Sequence, residues 1–428
     1  MTPAARLAAA IELLAAIEAD PAPADAAANT YFRARRYIGA ADRRAVAETV
    51  WASLRATRRT DWWLQRAGAA PNARLRIAAT ALLGFPGLPR ATTEDLARAF
   101  SGGRHAPAPL DAAERAALAR LAGHTPEHPA MPEAVRLELP DWLHPRLLAR
   151  FGPALPEEAA ALLVPAPLDL RVNLLKTTRD AARAALAAEG IAAEPTPLSP
   201  WGLRVAGRRN VTAGAAFRAG LIEIQDEGSQ LVALLADARP GQTVADFCAG
   251  AGGKTLALAM TMENRGRIVA CDVHEARLEG AVRRLRRAGV HNAEPHLLTK
   301  GDKWLKRHAG GFDRVLVDAP CTGTGTWRRN PDARRRLREI DLTELVARQA
   351  EILDRAAPLV RRGGTLIYAT CSLLPEENEA QMTDFFARHP DFATRPIGVG
   401  PAPGAMHLSL TPLRNGTDGF FACGMIRA

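Results

Sequence analysis

From Thr243 onward, short apolar runs alternate with helical stretches, and no other feature of the 428-residue chain restricts its fold so tightly. The runs Thr243–Phe247, Arg267–Cys271, Arg314–Val317 and Thr365–Ala369 have strand length. Between them, Thr255–Glu263, Glu275–Ala288 and Asp341–Val360 carry helical spacing. Strands separated by helices in this way predict a doubly wound, largely parallel sheet. Ligands of such sheets bind beyond the C-terminal ends of the strands. Three motifs fall at such ends: Asp246-Phe-Cys-Ala-Gly-Ala-Gly-Gly-Lys-Thr255, Asp318-Ala-Pro-Cys-Thr-Gly-Thr-Gly325 and Tyr368-Ala-Thr-Cys-Ser372.

The rest of the chain reads differently. Leu7, Ile11, Leu14 and Ile17, then Val46, Val50 and Leu54, recur at helical spacing, so residues 3 to about 100 predict a helical domain. Pro and Gly crowd residues 101–135 and mark a connector. Leu168-Asp-Leu-Arg-Val-Asn-Leu alternates like a strand, Arg179 to Gly190 reads as a helix, and Gly202-Leu-Arg-Val as a second strand. A chain of this length exceeds one ordinary core. Three parts are expected: residues 1–135 helical with the connector, 136–238 a small α/β module, and 239–428 the doubly wound domain.

Composition excludes several classes. No uncharged apolar run approaches the roughly 20 residues of a membrane span, and charged Arg6 and Glu12 argue against a signal peptide in the first helix. The five cysteines (Cys248, Cys271, Cys321, Cys371 and Cys423) form no C-x-x-C pair and match neither a disulfide framework nor a metal site. A reducing cytoplasm and no metal are therefore expected. The net charge of +10 favours a polyanionic partner only weakly, because arginine is abundant throughout and lysine occurs five times.

Gly250, Gly252 and Gly253 let a backbone approach a ligand at a helix start, where free N–H groups collect. Gly253-Lys254-Thr255 ends like a P-loop, but the first glycine of that motif would be residue 248, which is Cys. A dinucleotide G-x-G-x-x-G is also absent. Asp272 ends the next strand, where an acid can hold ribose hydroxyls, and Asp302 follows the third apolar stretch. This set suits S-adenosylmethionine. Cys321 and Cys371 stand where a nucleophile would face it. A thiolate adding to C6 of cytosine activates C5 for methylation, and Asp318 is placed to meet charge developing at N3. Cys271 and Cys423 read as small buried hydrophobes, and Cys248 as a turn residue. An amino-group methyltransferase would carry Asp/Asn-Pro-Pro-aromatic at the strand end; here Pro320 is followed by Cys.

Together these motifs resemble the RsmB/NOP family of RNA cytosine-C5 methyltransferases. The resemblance covers roughly residues 140 to 428. It takes in Asp141-Trp-Leu-His-Pro, Arg171-Val-Asn with Lys176, Gln225-Asp-Glu-Gly-Ser-Gln, Arg328-Arg-Asn-Pro-Asp332, Gln349-Ala-Glu-Ile-Leu353, Pro375-Glu-Glu-Asn-Glu379 and Asp418-Gly-Phe-Phe. It implies a Rossmann-like methyltransferase domain, a small α/β RNA-binding module and an N-terminal all-α NusB-like domain. Cofactor contacts are implied at Cys248, Ala249, Gly250, Ala251, Gly252, Gly253, Lys254, Asp272, Arg277, Asp302 and Asp318. The resemblance makes Cys371 the nucleophile and gives Cys321 a part in product release. Its usual Cys-Ala-Ala-Pro-Gly-Gly-Lys-Thr turn is altered here to Gly250-Ala251, which loosens a position that proline would fix.

The implied substrate is ribosomal RNA, with transfer RNA as the alternative target. A non-catalytic assembly factor keeping a relic cofactor pocket is the alternative of a different class; the two cysteines and Asp318 weigh against it. RNA contacts are expected at Arg328, Arg329, Arg334 and Arg335, which follow the Cys321 motif directly, and at Lys176. No obligate protein partner is implied.

Overall fold

A computed structural model describes residues 1–207 and 209–428. The chain divides into two compact units, Met1–Leu163 with Arg329–Leu337, and Val164–Arg328 with Arg338–Ala428.

The first unit is helical. Its helices begin where side chains can satisfy free backbone N–H groups: Asn72 accepts from the Leu75 N–H, and Thr92/Asp95 and Asp111/Glu114 form reciprocal capping boxes. Leu14 and Ile17 pack with Val46, Val50 and Leu54, residues whose spacing predicted these helices. The expected connector is instead part of this fold. Asp111 starts a helix, Ala112–Leu121, and Leu110, Leu118, Leu121 and Met131 are buried with Trp63 and Leu82. Its prolines and glycines lie at the ends of that helix rather than across a linker. The short helix Pro331–Arg336 also belongs here, with Asp332 accepting from the Ala24 N–H at 3.1 Å.

The second unit holds two sheets. Strands β1 (Leu168–Val172), β2 (Ala193–Pro195), β3 (Gly202–Val205) and β4 (Ile222–Ile224) form an antiparallel sheet in the order β2-β3-β1-β4. The helix Arg179–Ala188 buries Ala182 and Leu186 against Leu170, Val172 and Leu203.

The larger sheet has eight strands: β5 (Thr243–Asp246), β6 (Arg267–Asp272), β7 (Ala293–Leu297), β8 (Phe312–Asp318), β9 (Val360–Thr370), β10 (Phe392–Arg395), β11 (Leu408–Leu410) and β12 (Phe420–Arg427). Its order is β10-β12-β9-β8-β5-β6-β7, with β11 on β12. β5 to β9 are parallel, and β12 is inserted antiparallel beside β9. The four apolar runs are β5, β6, β8 and β9. β7 lacks that signal because Ala293-Glu-Pro-His-Leu is polar, and its Pro295 is tolerated on an edge strand. Among the described residues no helix is long and apolar enough to cross a membrane.

The small sheet is fastened to the large one through Asn173, just past β1. Its amide donates to the carbonyls of Gly220 and Ala288, each at 2.8 Å. Gly220 has φ +71°, and a Cβ there would lie 2.1 Å from the Arg287 carbonyl oxygen. Asn173→Ala strips both buried carbonyls of their donor, at about 1–3 kcal/mol for each group left bare. The expected outcome is a lower urea midpoint for the variant; a midpoint equal to wild type would show that this joint does not hold the two sheets together.

Candidate active site

A cavity of about 760 Å³, in the size range of small-molecule sites, opens beyond the C-terminal ends of β5, β6, β8 and β9. Every residue of the expected cofactor and catalytic set lines it except Gly252 and Asp302. Gly252 lies beneath the turn: its φ is +79°, and a Cβ there would sit 3.0 Å from that of Ala281. Asp302 is outside the cavity lining. It caps the short helix Lys303–Arg307, accepting from the Trp304 N–H at 2.8 Å and pairing with His296 at 2.7 Å. Val273, Leu298 and Ile352 are apolar members of the cavity lining.

The glycine turn is held from both sides. Gly250, at φ +55°, donates its N–H to Asp272 at 2.9 Å. Arg171 of β1 is buried, donating to the Gly253 carbonyl at 2.6 Å and to Gln225 at 2.5 Å, and burial pushes its guanidinium down to about 10. Gln225 itself lines the cavity, as does Ser229. The look-alike P-loop residues are engaged elsewhere: Lys254 Nζ meets Asp318 at 2.5 Å, and Thr255 donates to Asp246 at 2.6 Å.

Asp246 tests whether a cofactor fits. It is fully buried, one carboxylate oxygen has no hydrogen-bond partner, and burial raises its carboxyl to about 6. A buried acid with a bare oxygen facing a cavity is completed by a cationic donor such as an amino group. Asp272, already accepting from Gly250 and His274 N–H groups, retains lone pairs for hydroxyls. The residues present fit S-adenosylmethionine.

The cysteine loops leave adjacent strands. β8 and β9 are paired with Asp318 opposite Ala369, and the two loops bring Cys321 Sγ to 3.5 Å from Cys371 Sγ. Buried Glu377 braces the Cys321 loop. It accepts from Thr322 N–H at 2.8 Å, Thr322 Oγ1 at 2.5 Å and Gln349 Nε2 at 2.9 Å. Gln349 also donates to the Pro320 carbonyl, and Asn378 to the Ser372 carbonyl in the Cys371 loop. Glu377, Gln349 and Asn378 carried no chemical signal in the sequence; only membership of the family-like motifs marked them.

Cys321 is pushed well above the ordinary thiol range, first by its hydrogen bond to Cys371, then by burial and the nearby charge of Glu377. Cys321 therefore keeps its proton near neutrality. Burial likewise raises the thiols of Cys248, Cys271 and Cys423. Cys271 and Cys423 lie in the core, as expected.

The expected RNA contacts fare unevenly. Arg328 is buried and pairs with Asp418 at 2.5 Å and Asp226 at 3.4 Å. Arg334 is buried in the helical unit and donates to the Glu138 carbonyl at 3.2 Å. Lys176 Nζ donates to the carbonyls of Ala219 and Arg287, at 2.9 and 2.7 Å, where two helices end. These three side chains serve the fold. Arg329 is half-buried and Arg335 is exposed.

A parallel sheet with a reversed strand set beside its last parallel member, and a glycine turn over a cavity at the strand ends, defines a Rossmann-like methyltransferase fold. Residues 233–426 match the family described as 16S rRNA methyltransferase RsmB/F, and residues 139–212 match the ferredoxin-like domain of RsmF/B-like methyltransferases. Ribosomal RNA small subunit methyltransferase B of Pectobacterium carotovorum is 36% identical over 296 residues, which is 67% of each chain. The probable counterpart in Bacillus subtilis is 34% identical over 310 residues, 70% of this chain and 68% of that one. The chain thus spans about two thirds of the length of these relatives. The crystal structure of PH0851 superimposes with a TM-score of 0.81 at 27% identity, covering 100% of this chain and 99% of that one. A methyltransferase homolog protein from Pyrococcus horikoshii gives 0.62 at 30% identity over 71% of this chain and all of that one. The chain belongs to the RsmB/F methyltransferase family.

The Asp246 carboxyl is held at about 6 when folded, against an ordinary 3.8. Between those values the folded chain binds a proton that the unfolded chain has released. This group's contribution to stability is therefore greatest at low pH and is lost as pH rises from about 4 to about 6. Asp246→Asn has no such loss. Thermal midpoints of the variant are expected to rise relative to wild type across that window and to level off above it; a constant difference would show that Asp246 does not titrate there.

Proposed function

We propose that the chain transfers a methyl group from S-adenosylmethionine to C5 of a cytosine in small-subunit ribosomal RNA, through a transient bond between Cys371 and C6 of the ring. The observation that carries this reading is the pair of sulfurs 3.5 Å apart on the wall of the cavity that also holds the glycine turn and Asp318. Family membership supports methyl transfer, and the names of the relatives supply ribosomal RNA as the substrate.

The glycine turn, Asp246 and Asp272 would hold the cofactor, with Val273, Leu298 and Ile352 offering an apolar surface to its base. The cofactor supplies an electrophilic methyl group on a sulfonium centre. Cytosine C5 is a weak nucleophile. Addition of the Cys371 thiolate to C6 converts the C5–C6 double bond into an electron-rich centre at C5, with charge spreading toward N3. Asp318, which accepts from Lys254 at 2.5 Å, is the group assigned to pass a proton to N3 as that charge develops. After methylation the C5 proton leaves to a base and the C6–S bond breaks. Its electron pair returns to sulfur, and the ring double bond is restored.

The surroundings of Cys321 support the division of labour. The hydrogen bond to Cys371, then burial and the charge of Glu377, disfavour a thiolate at Cys321, so that residue suits a proton-bearing partner to the departing Cys371 sulfur. Replacing Cys321 should slow release and leave RNA attached; replacing Cys371 should prevent attachment altogether. With in vitro transcribed small-subunit RNA and S-adenosylmethionine, Cys321→Ser is expected to give a denaturation-resistant protein–RNA band, absent in Cys371→Ser. Both variants should lose at least about 100-fold in turnover, the scale on which a covalent catalyst acts. A band from Cys371→Ser, or none from Cys321→Ser with active wild type, would reverse or remove the assigned roles.

A further inference from the structure

The cavity carries one feature that neither the glycine turn nor the cysteine motifs explain. Along the helix Glu339–Ala356, the residues Arg348, Glu351, Ile352 and Arg355 all line it. Their spacing of three, four and seven places them on one helical face. The adjacent Gln349 bolts this helix to the Cys321 loop, through the Pro320 carbonyl and Glu377, each at 2.9 Å. The face is therefore fixed in register behind one of the two cysteines.

Its charges are not equivalent. Arg355 lies 3.9 Å from Glu351, and Lys254 across the cavity is paired with Asp318. Arg277 stands past the end of β6 near Asp272, on the side that suits the cofactor. Arg348 is exposed and has no ion-pair partner among the described residues. A cation held on a rigid helix, open to solvent and bordering an apolar-and-acidic cavity, is placed to receive an anion that enters from outside. Guanidinium matches phosphate oxygens in paired hydrogen bonds.

We propose that Arg348 is a phosphate-binding residue that engages the RNA backbone at the nucleotide presented to Cys371. This rests on the reading of RNA as substrate. It adds the group that positions the strand while the base enters the cavity, a role the sequence had given in part to Arg328 and Arg334, which the fold has buried. Phosphate contacts fix register without reading sequence.

The test uses the full chain with in vitro transcribed small-subunit RNA. RNA affinity is measured by fluorescence anisotropy across a salt series, S-adenosylmethionine affinity by calorimetry, and methyl transfer by steady-state kinetics. For Arg348→Ala, RNA binding is expected to weaken about tenfold and its salt slope to fall by about one contact. The kinetic effect should appear in KM for RNA more than in kcat, and cofactor affinity should stay within twofold. Arg348→Lys should restore part of the binding, and Arg362→Ala, the same charge change at the opposite end of β9, should leave it unaltered. Unchanged affinity and salt slope in Arg348→Ala would overturn the proposal, as would a loss of cofactor affinity in place of RNA affinity. If wild type binds RNA in an Arg348-dependent way yet methylates no cytosine, the phosphate site stands and the proposed reaction falls.

Discussion

β8 and β9 lie side by side in parallel, with Asp318 opposite Ala369, and the chemistry of the site depends on that pairing. Parallel neighbours end at the same edge of a sheet, so the loops beyond them leave together. One carries Cys321 three residues past its strand, the other Cys371 two residues past the paired position. The pairing alone would bring the loops near each other without fixing the sulfurs. Buried Glu377 does that for the first loop. Its carboxylate would be costly in the interior unless satisfied, and it is satisfied by donors from the Cys321 loop and from Gln349. The carboxylate and the loop geometry thus require each other.

Charge in this protein is used first for architecture. Arg171, Arg328 and Arg334 are all buried, and each spans segments distant in sequence: β1 to the glycine turn, the Cys321 loop to Asp418, and the helix Pro331–Arg336 to Glu138. Arginine suits this work because its planar fork makes several hydrogen bonds at once and stays charged when buried. Asp418 is followed by Gly419, whose N–H donates to the Gly325 carbonyl at 2.9 Å. Gly325 in turn donates to the Cys371 carbonyl at 2.9 Å. A Cβ on Gly325 would lie 2.3 Å from the Gly419 carbonyl oxygen, so this close approach admits only glycine. Arg328, through its pair with Asp418, therefore braces the segment that meets the Cys371 loop.

The small antiparallel sheet is more than an attachment. Arg171 within β1 holds the carbonyl of Gly253 at the first turn of the cofactor helix, and Glu223 of β4 receives Arg284 and Arg287 from the helix Glu275–Ala288. The glycine turn is loosened at Gly250 by its own sequence, but Gly250 N–H is tied to Asp272 and Arg171 holds Gly253 from outside the doubly wound domain. Flexibility at one residue is confined because its neighbours are not free.

Periodicity in the sequence settled the architecture: apolar runs of strand length separated by helical spacing have few ways to bury their faces other than a parallel sheet covered by helices. The glycine turn and the two cysteines were legible because their backbone and chemical demands are local. Polar edge strand β7, the helix within 101–135, the capping role of Asp302, the burial of Arg328 and Arg334, and the two carbonyl contacts of Lys176 were not. The arginines and Lys176 depend on which carbonyl or carboxylate from a distant segment arrives beside them, and charge and composition look the same whether a side chain meets solvent or a partner. The sequence determined which chemical groups the chain owns and the strand ends at which they sit. Only the tertiary structure decided that two sulfurs meet, that Asp246 keeps a bare oxygen, and that one exposed arginine on a helix faces the cavity, because those facts arise from the packing of segments that the chain separates by tens to hundreds of residues.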